Sequence, residues 1–410
     1  MTLANTTRSY GSVAKAFHWT VAALILALIP LGIVANGLPA DTSEQIARKA
    51  MLFSIHKTLG VTLFFLALAR IGWAVVQPRP AALHPDRRLE TAAATTAHWL
   101  LYASLVLVPL SGWAHHAATE GFAPIWWPFG QSLPFIPKDP DLAEIFGGLH
   151  IVFERVLVAT LLLHVAAALK HHWWDRDDTL RRMLPGAAPA VAAPAAARPL
   201  PAWAGPVAAL SVFAVAIGIG GALGTYGKPR IATQAIALQQ APSEWRVTDG
   251  TLVIRIRQLG GEVVGRFGDW TAAIDFAETP RDGSHGSAEV TIAIPSLTLG
   301  AVTDQAMEEA YFNAEDHPTA RFTADLLPAE GETTYRAEGT LTLRGEAVPV
   351  AFPFTLAIEG ETAEASFDLV LDRRDFGIGA NQDDPGTLGF EVEVSGQLSA
   401  TRAADAAGES

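Results

Sequence analysis

Twelve histidines and no cysteine stand in 410 residues, so any metal must be held by His, Asp, Glu or Met. Disulfides, zinc–cysteine sites, iron–sulfur clusters and covalent c-type haem are excluded. Ten of the twelve (His18, His56, His84, His98, His115, His116, His150, His164, His171, His172) precede residue 173. Five of these sit inside long apolar runs, where a ligating side chain is costly and is by default a functional group, and four of the five stand out, His18, His56, His150 and His164. A lone histidine there can also be a hydrogen-bonded packing residue, and what raises these four above that reading is depth. His18 falls near the inner end of the first run, and His56 and His150 about five residues inside the outer ends of the second and fourth. His164 follows His150 by fourteen residues, about 21 Å along a helix and within about 40° of the same face. One helix thus offers two imidazoles at two levels, with His56 opposite at one level and His18 at the other. Two stacked bis-imidazole sites in a four-helix bundle suit two b-type haems. Both axial positions are then filled, which favours electron transfer over oxygen activation. A zinc or copper site needs ligands converging at one level, and no carboxylate-rich or sulfur cluster provides them. His98, at the inner level of the third run, is an alternative to His18, and His115 and His116 lie near that run's outer end.

His171 and His172, followed by Trp173 and Trp174, fall where the fourth run ends. They read either as an interfacial anchor or as an inner quinone pocket in which imidazoles exchange protons. With His98 they are the candidates for a quinone site. His84, His285 and His317 read as ordinary loop residues, and Glu154 and Arg155 as a local pair one turn below His150.

The elements that must position these groups are membrane helices. Half of the residues are hydrophobic, 17% are charged and the mean hydropathy is +0.25, too apolar for an ordinary soluble chain. A bilayer crossing takes about 20 mostly apolar residues, and five such runs occur, at 16–35, 51–76, 96–114, 146–170 and 203–224. The first is not a cleavable signal peptide, because it is long, contains His18 and Trp19, and leads into Asn36-Gly37-Leu38-Pro39. With the N-terminus inside, the inner segments hold Arg8, Lys15, Arg79, Arg87, Arg88, Lys170, Arg176, Arg181, Arg182 and Arg198, and the outer loops only Arg48, Lys49 and Lys138. That asymmetry places the N-terminus in the cytoplasm. Residues 185–202 form a Pro/Ala linker, after which the fifth helix crosses outward and leaves everything beyond about Tyr226 outside.

The outer part differs chemically: residues 1–240 carry net +6 and residues 241–410 net −19. It also switches to a period of two. Leu252, Ile254 and Ile256 alternate with Val253, Arg255 and Arg257; Val350, Phe352, Phe354, Leu356 and Ile358 run likewise, and Phe390, Val392 and Val394 interleave with Glu391 and Glu393. Further strands at 270–276, 288–294, 321–327, 338–343 and 365–371, with one helical stretch near 303–314, predict a closed antiparallel barrel. No transmembrane-barrel girdle is present, so the barrel is expected to be soluble.

The first half resembles the prokaryotic cytochrome b561 family. The matching stretches are AKAFHWTVA around His18, FSIHKTLG around His56, AHWLLYASLVLVPLSGW, and GGLHIVFERVLVATLLLHVAAALKHHWWDRDDTLRRMLPG, over roughly residues 8–186. The resemblance implies that His18 and His164 ligate one haem b, and His56 and His150 the other, with His98 set aside. It also implies electron traffic between quinone and a periplasmic partner, one branch of the family oxidising superoxide and reducing ubiquinone. Residues 243–402 resemble the YceI family of periplasmic lipocalin-like barrels that bind polyisoprenoid chains, on VVGRFGDWTAAIDF, TDQAMEEAYFNAEDHPTARFTA, YRAEGTLTLRGEAVPV and LDRRDFGIGA. Where that family carries histidines on its opening strand, this chain reads GTLVIRIRQ. An eight-stranded barrel can enclose one elongated apolar ligand, or it can be packed solid by its own Phe, Leu and Ile.

The expected protein is therefore a multi-pass bacterial inner-membrane fusion: an all-α di-haem bundle (8–186), a linker with a fifth helix (187–227), and an all-β barrel (243–402). Its expected work is to pass electrons from a periplasmic donor, superoxide among the candidates, by way of the His56/His150 and then the His18/His164 haem to ubiquinone. The barrel is expected to hold a quinone or other isoprenoid lipid, and no nucleic-acid partner is expected. Arg48, Lys49, Lys57 and Lys138 offer a weak positive approach for an anion such as superoxide. Quinol oxidation in the reverse direction is the other oxidoreductase reading. The rival from another class is a non-enzymatic lipid-binding protein whose haem-containing membrane half is an anchor or redox sensor.

Overall fold

The computed structural model describes residues 2–186, 201–226, 238 and 243–403, apart from residues 8, 82, 85, 120–122, 129–130 and 332. Most of the Pro/Ala linker, with Arg198, and also Arg8 therefore lie outside the described residues. The chain divides into two compact units, one helical and one built of strands.

Among the described residues, five helices are long and apolar enough to cross a membrane: α1 (Ser12–Gly37), α2 (Ser43–Val76), α3 (Arg88–Ala118), α4 (Pro140–Lys170) and α5 (Ala204–Ala222). A five-residue π-turn, His171–Asp175, continues α4. Three helices begin well before their apolar runs. Their first turns (SEQIARKA, RLETAAAT, PDLAEI) are polar yet rich in Ala, Glu, Arg and Leu, good helix formers. Hydropathy reads the thickness of a membrane rather than the length of a helix. His56 therefore stands thirteen residues into α2, and His150 ten into α4, deeper along their helices than five. α4 starts where Asp139 caps it, its carboxylate accepting from the Leu142 N–H, with Pro140 at the first helical position.

One buried cluster takes Val21, Ile25 and Leu28 from α1, Leu63 and Ala67 from α2, Leu105 from α3 and Leu157 from α4, which defines a four-helix bundle. α5 packs outside it through Ala209 and Phe213 against Leu100, Val152, Phe153 and Val156. Lipid tails are as apolar as leucine, so helices associate through close packing and small residues rather than through the hydrophobic effect. Gly205 shows the requirement: a Cβ there would stand 2.7 Å from Thr95 Cγ2 and 2.9 Å from Trp99 Cδ1.

The second unit contains β1 (Trp245–Gln258), β2 (Gly261–Phe267), β3 (Trp270–Arg281), β4 (Ser284–Ala293), β5 (Leu297–Thr298), the short helix α6 (Thr303–Met307), β6 (Thr319–Pro328), β7 (Thr334–Leu343), β8 (Glu346–Glu359), β9 (Thr362–Asp372) and β10 (Leu388–Arg402). Neighbours run β10-β9-β8-β7-β6-β4-β3-β1, and β1 pairs again with β10, closing an eight-strand antiparallel barrel. β1 changes partner along its length. Trp245 and Arg246 pair with β3, whereas residues 252–258 pair with β2. Three two-residue hairpin loops, Leu259-Gly260, Asp282-Gly283 and Arg344-Gly345, have both φ values positive, the primed-turn geometry that suits strand twist.

All eight strand regions read from the alternation are present, and β2 and β5 are additional. The glycines of GEVVGRF hid β2. At Gly265 a Cβ would meet Leu299 Cδ1 at 2.6 Å and Thr298 O at 3.0 Å, so the sheet needs the residue that weakens the strand signal. The helical stretch near 303–314 shortens to Thr303–Met307.

Candidate functional site

α2 and α4 bring His56 and His150 together, ring centroids 6.4 Å apart and planes at 82°. An iron between two imidazoles, with metal–nitrogen bonds of about 2 Å and each centroid about 1.1 Å behind its nitrogen, requires roughly 6.2 Å. The pair therefore fits a six-coordinate iron. Both rings lie against glycine: a Cβ on Gly32 of α1 would be 2.9 Å from His56 Cε1, and one on Gly112 of α3 2.9 Å from His150 Nδ1. His150 Nδ1 lies 2.8 Å from Val108 O. A carbonyl only accepts, so the proton is on Nδ1 and the Nε2 lone pair is left free for a metal.

α1 and α4 bring His18 and His164 to 6.3 Å, planes at 56°, again the separation a shared iron requires. This pair is dressed differently. An Arg70 guanidinium nitrogen lies 3.2 Å from His18 Nδ1. A guanidinium only donates, so His18 Nδ1 accepts and the ring proton sits on Nε2. Ligation through Nε2 then requires Arg70 to turn away and the proton to move. His98 stands perpendicular to His164 at 5.4 Å, closer than two ligands of one iron stand, and its Nδ1 donates to Ala94 O at 2.6 Å. Geometry thus pairs His164 with His18, and His98 flanks them.

Beyond α4 the π-turn ends at Arg176, whose left-handed φ of 52° folds the chain back so that the Asp177 N–H reaches His171 O at 3.1 Å. One oxygen of Asp177 then lies 2.7 Å from His171 Nδ1 and 3.0 Å from His84 Nε2. Burial alone raises the Asp177 pKa, but hydrogen bonds from Thr179 and His171 outweigh it and hold the carboxyl at about 2. His84 is therefore part of a cluster and not a free loop residue. The loop reading missed it because its partners lie about ninety positions on. Only the DRDD after HHWW signalled a carboxylate near His171. Trp173 and Trp174 are 69% and 83% exposed, as an anchor would be. Arg155 and Glu154 pair at 3.6 Å.

The cations read as a positive approach are engaged. Arg48 pairs with Glu44 at 2.8 Å, Lys57 Nζ lies 3.3 Å from His116 Nδ1, and Lys138 donates to Thr119 O.

The barrel is hollow. Val350, Phe352, Phe354, Leu356 and Ile358, the inward set of β8, line an apolar cavity of about 180 Å³. Leu252, Ile292, Leu341, Leu371 and Val394 also border a second cavity of about 150 Å³, so the two adjoin. The second reaches Gln258, Gln305 and Tyr311, and Gln258 Oε1 is buried with no hydrogen-bond partner. Arg373, of LDRRDFGIGA, is 4% exposed and donates to the carbonyls of Ile378, Gly379, Gln382, Leu388 and Gly389, so it staples the loop before β10. His285 is also no loop residue. It is buried at the start of β4, stacked on Phe276 at 5.1 Å, with its Nδ1 donating to Ala277 O.

Comparison with known proteins fits this division. Residues 9–186 match the family model for prokaryotic cytochrome b561, and residues 242–400 that for the YceI-like domain. Cytochrome b561 homolog 2 of Escherichia coli is 31% identical over 188 residues, which is 45% of this chain and 95% of that protein. A probable superoxide oxidase of Yersinia pestis is 27% identical over 179 residues, 43% of this chain and 97% of its own. At the other end, a UPF0312 protein of Photorhabdus laumondii is 36% identical over 110 residues, 26% of this chain and 56% of its own. The helical unit and the strand unit thus each match a known module: the chain belongs to the prokaryotic cytochrome b561 family through its membrane half and carries a YceI-like domain behind it.

Proposed function

We propose that this membrane protein is a two-haem electron carrier of the bacterial inner membrane. His56 and His150 would hold one haem b on the periplasmic side, and His18 and His164 the other on the cytoplasmic side. The observation that carries the reading is the separation of the two pairs, 6.4 and 6.3 Å, near the spacing of two imidazoles on one iron. When bound, each haem would supply a one-electron couple, held by the two histidines of its pair. The chain's own residues do the rest. Val108 O keeps the His150 proton on Nδ1, Gly32 and Gly112 leave room for the rings, and the surrounding leucines and valines exclude water.

The reaction that fits is oxidation of two superoxide anions to dioxygen with reduction of one ubiquinone, two protons being taken up to give the quinol. His98, His171 and His172 are the candidate quinone contacts on the inner side. The N-terminus is cytoplasmic and the barrel periplasmic in this reading, supported by the arginine and lysine asymmetry. The barrel holds an isoprenoid chain, ubiquinone the first candidate, supported by its apolar cavity. Tethering then raises the concentration of a lipid carrier at its redox module.

The test is to purify the full chain with haem and count it by pyridine haemochrome. The protein is then mixed rapidly with superoxide, and its reoxidation by a short-chain ubiquinone is followed. Two haems, fast reduction and quinone-dependent reoxidation are expected. One haem per chain would defeat the two-site reading, and no reduction by superoxide would leave quinol oxidation as the direction. Mass spectrometry of a solvent extract of the full chain, compared with a version truncated after residue 227, reads the barrel's lipid. Equal lipid in both defeats the barrel assignment.

A further inference from the structure

The His84–Asp177–His171 cluster lies outside both imidazole pairs, and its chemistry is that of a metal site. His84 Nε2, His171 Nδ1 and a carboxylate oxygen of Asp177 lie within 4.8 Å of one another. The carboxylate oxygen is 3.0 and 2.7 Å from the two nitrogens, and the imidazole planes are within 8° of parallel.

We propose that His84, His171 and Asp177 bind one divalent transition-metal ion of the Zn²⁺ class, with a fourth position left for water.

Four observations carry it. Two imidazole nitrogens and one carboxylate suit borderline ions such as Zn²⁺ and Fe²⁺, whereas Mg²⁺ and Ca²⁺ prefer all-oxygen sets. The two aspartates differ in charge balance. Asp175 is met by Lys170 at 3.0 Å and Arg87 at 3.3 Å, whereas the partners of Asp177 are two imidazoles and Thr179, with no lysine or arginine against it among the described residues. His171 Nδ1 also faces oxygens of both aspartates, Asp177 at 2.7 Å and Asp175 at 3.1 Å, yet can carry only one proton. Asp175 Oδ2 already faces Lys170 Nζ and Arg87 Nη1, so Asp177 is the carboxylate that has no lysine or arginine partner among the described residues. A dication in place of that proton would give Asp177 the charge partner that Asp175 already has. Finally, the backbone is shaped for the contact: a π-turn, a form enriched at functional sites, followed by a left-handed residue, delivers Asp177 beneath His171. The ion would pin the end of α4, seven residues past His164, to the segment between α2 and α3 that carries His84.

The experiment uses the full chain, fully loaded with haem so that the bundle's imidazoles are occupied, stripped with EDTA and titrated with Zn²⁺ alone. One zinc per chain should survive gel filtration, and absorption at the zinc edge should show two imidazole nitrogens. His84→Ala and Asp177→Asn should each weaken binding at least tenfold, with the haem spectrum serving as the check on folding. Three results overturn the proposal: no zinc retained by the wild type, zinc retained equally by both variants, or an edge spectrum with fewer than two imidazoles. The spectrum is read on the wild type, so it decides even if a variant fails to fold.

Discussion

His56 with His150 and His18 with His164 have nearly the same ring separation, yet their surroundings differ in kind. The first pair is built around glycines, Gly32 and Gly112, and a backbone carbonyl sets the tautomer of His150. The second is built around charge and further imidazole: Arg70 against His18 and His98 against His164. A backbone carbonyl is fixed by the helix that carries it, so His150 is held with its Nε2 lone pair free. A guanidinium on a flexible stem can swing away, so the His18/His164 pair can exchange a donor for a ligand. The first pair is therefore expected to tolerate change in steric bulk least, and the second to respond most to change in charge.

The largest effects should come from the proposed haem ligands themselves. His150→Ala and His164→Ala should each cut haem from two per chain to one, each removing a different component of the redox titration. The comparison collapses if both remove the same component, or if either leaves the pyridine-haemochrome yield unchanged. Next comes bulk. Gly112→Leu pushes a side chain into the His150 ring, overpacking that typically costs about 1–3 kcal/mol. It should strip or displace the His56/His150 haem and leave the other titrating as before, whereas equal damage to both would deny the pair its separate cradle.

Charge follows. Arg70→Gln removes a cation beside His18, and a nearby cation favours the reduced iron. The midpoint of the His18/His164 component should fall, by about 1 kcal/mol or roughly 40 mV for one electron. A rise, or a shift confined to the other component, would reverse the assignment of Arg70. Smallest of all should be His98→Ala. It deletes an imidazole that flanks His164 at 5.4 Å without the spacing of a ligand, so haem count should stay at two with only a small spectral change. Loss of one haem would instead make His98 the axial partner.

Much of this was legible in residue types and spacing. Depth alone matched His150 with His56 and put an inner-level imidazole, His18 or His98, opposite His164, because a helix converts fourteen residues into one distance and nearly one face. It could not separate His18 from His98, which lie at one level. Alternation likewise gave eight strands of the barrel and even the inward set of β8, since a period of two is local. It missed β2, whose Gly265 is demanded by Leu299 and Thr298, residues more than thirty positions away. The His84 cluster escaped for the same reason, its members meeting only because a π-turn and a left-handed Arg176 reverse the chain.

The sequence by itself thus determined the membrane helices, the strand pattern, the exclusion of sulfur ligands and the levels of the imidazoles, each a consequence of composition or of a repeat within one element. Tertiary structure alone decided which imidazole faces which at 6.3 Å, which carbonyl or guanidinium sets each tautomer, and that the barrel is hollow rather than filled. Those are contacts between elements far apart in the chain, where side-chain volume and hydrogen-bond direction, and no local period, fix the outcome.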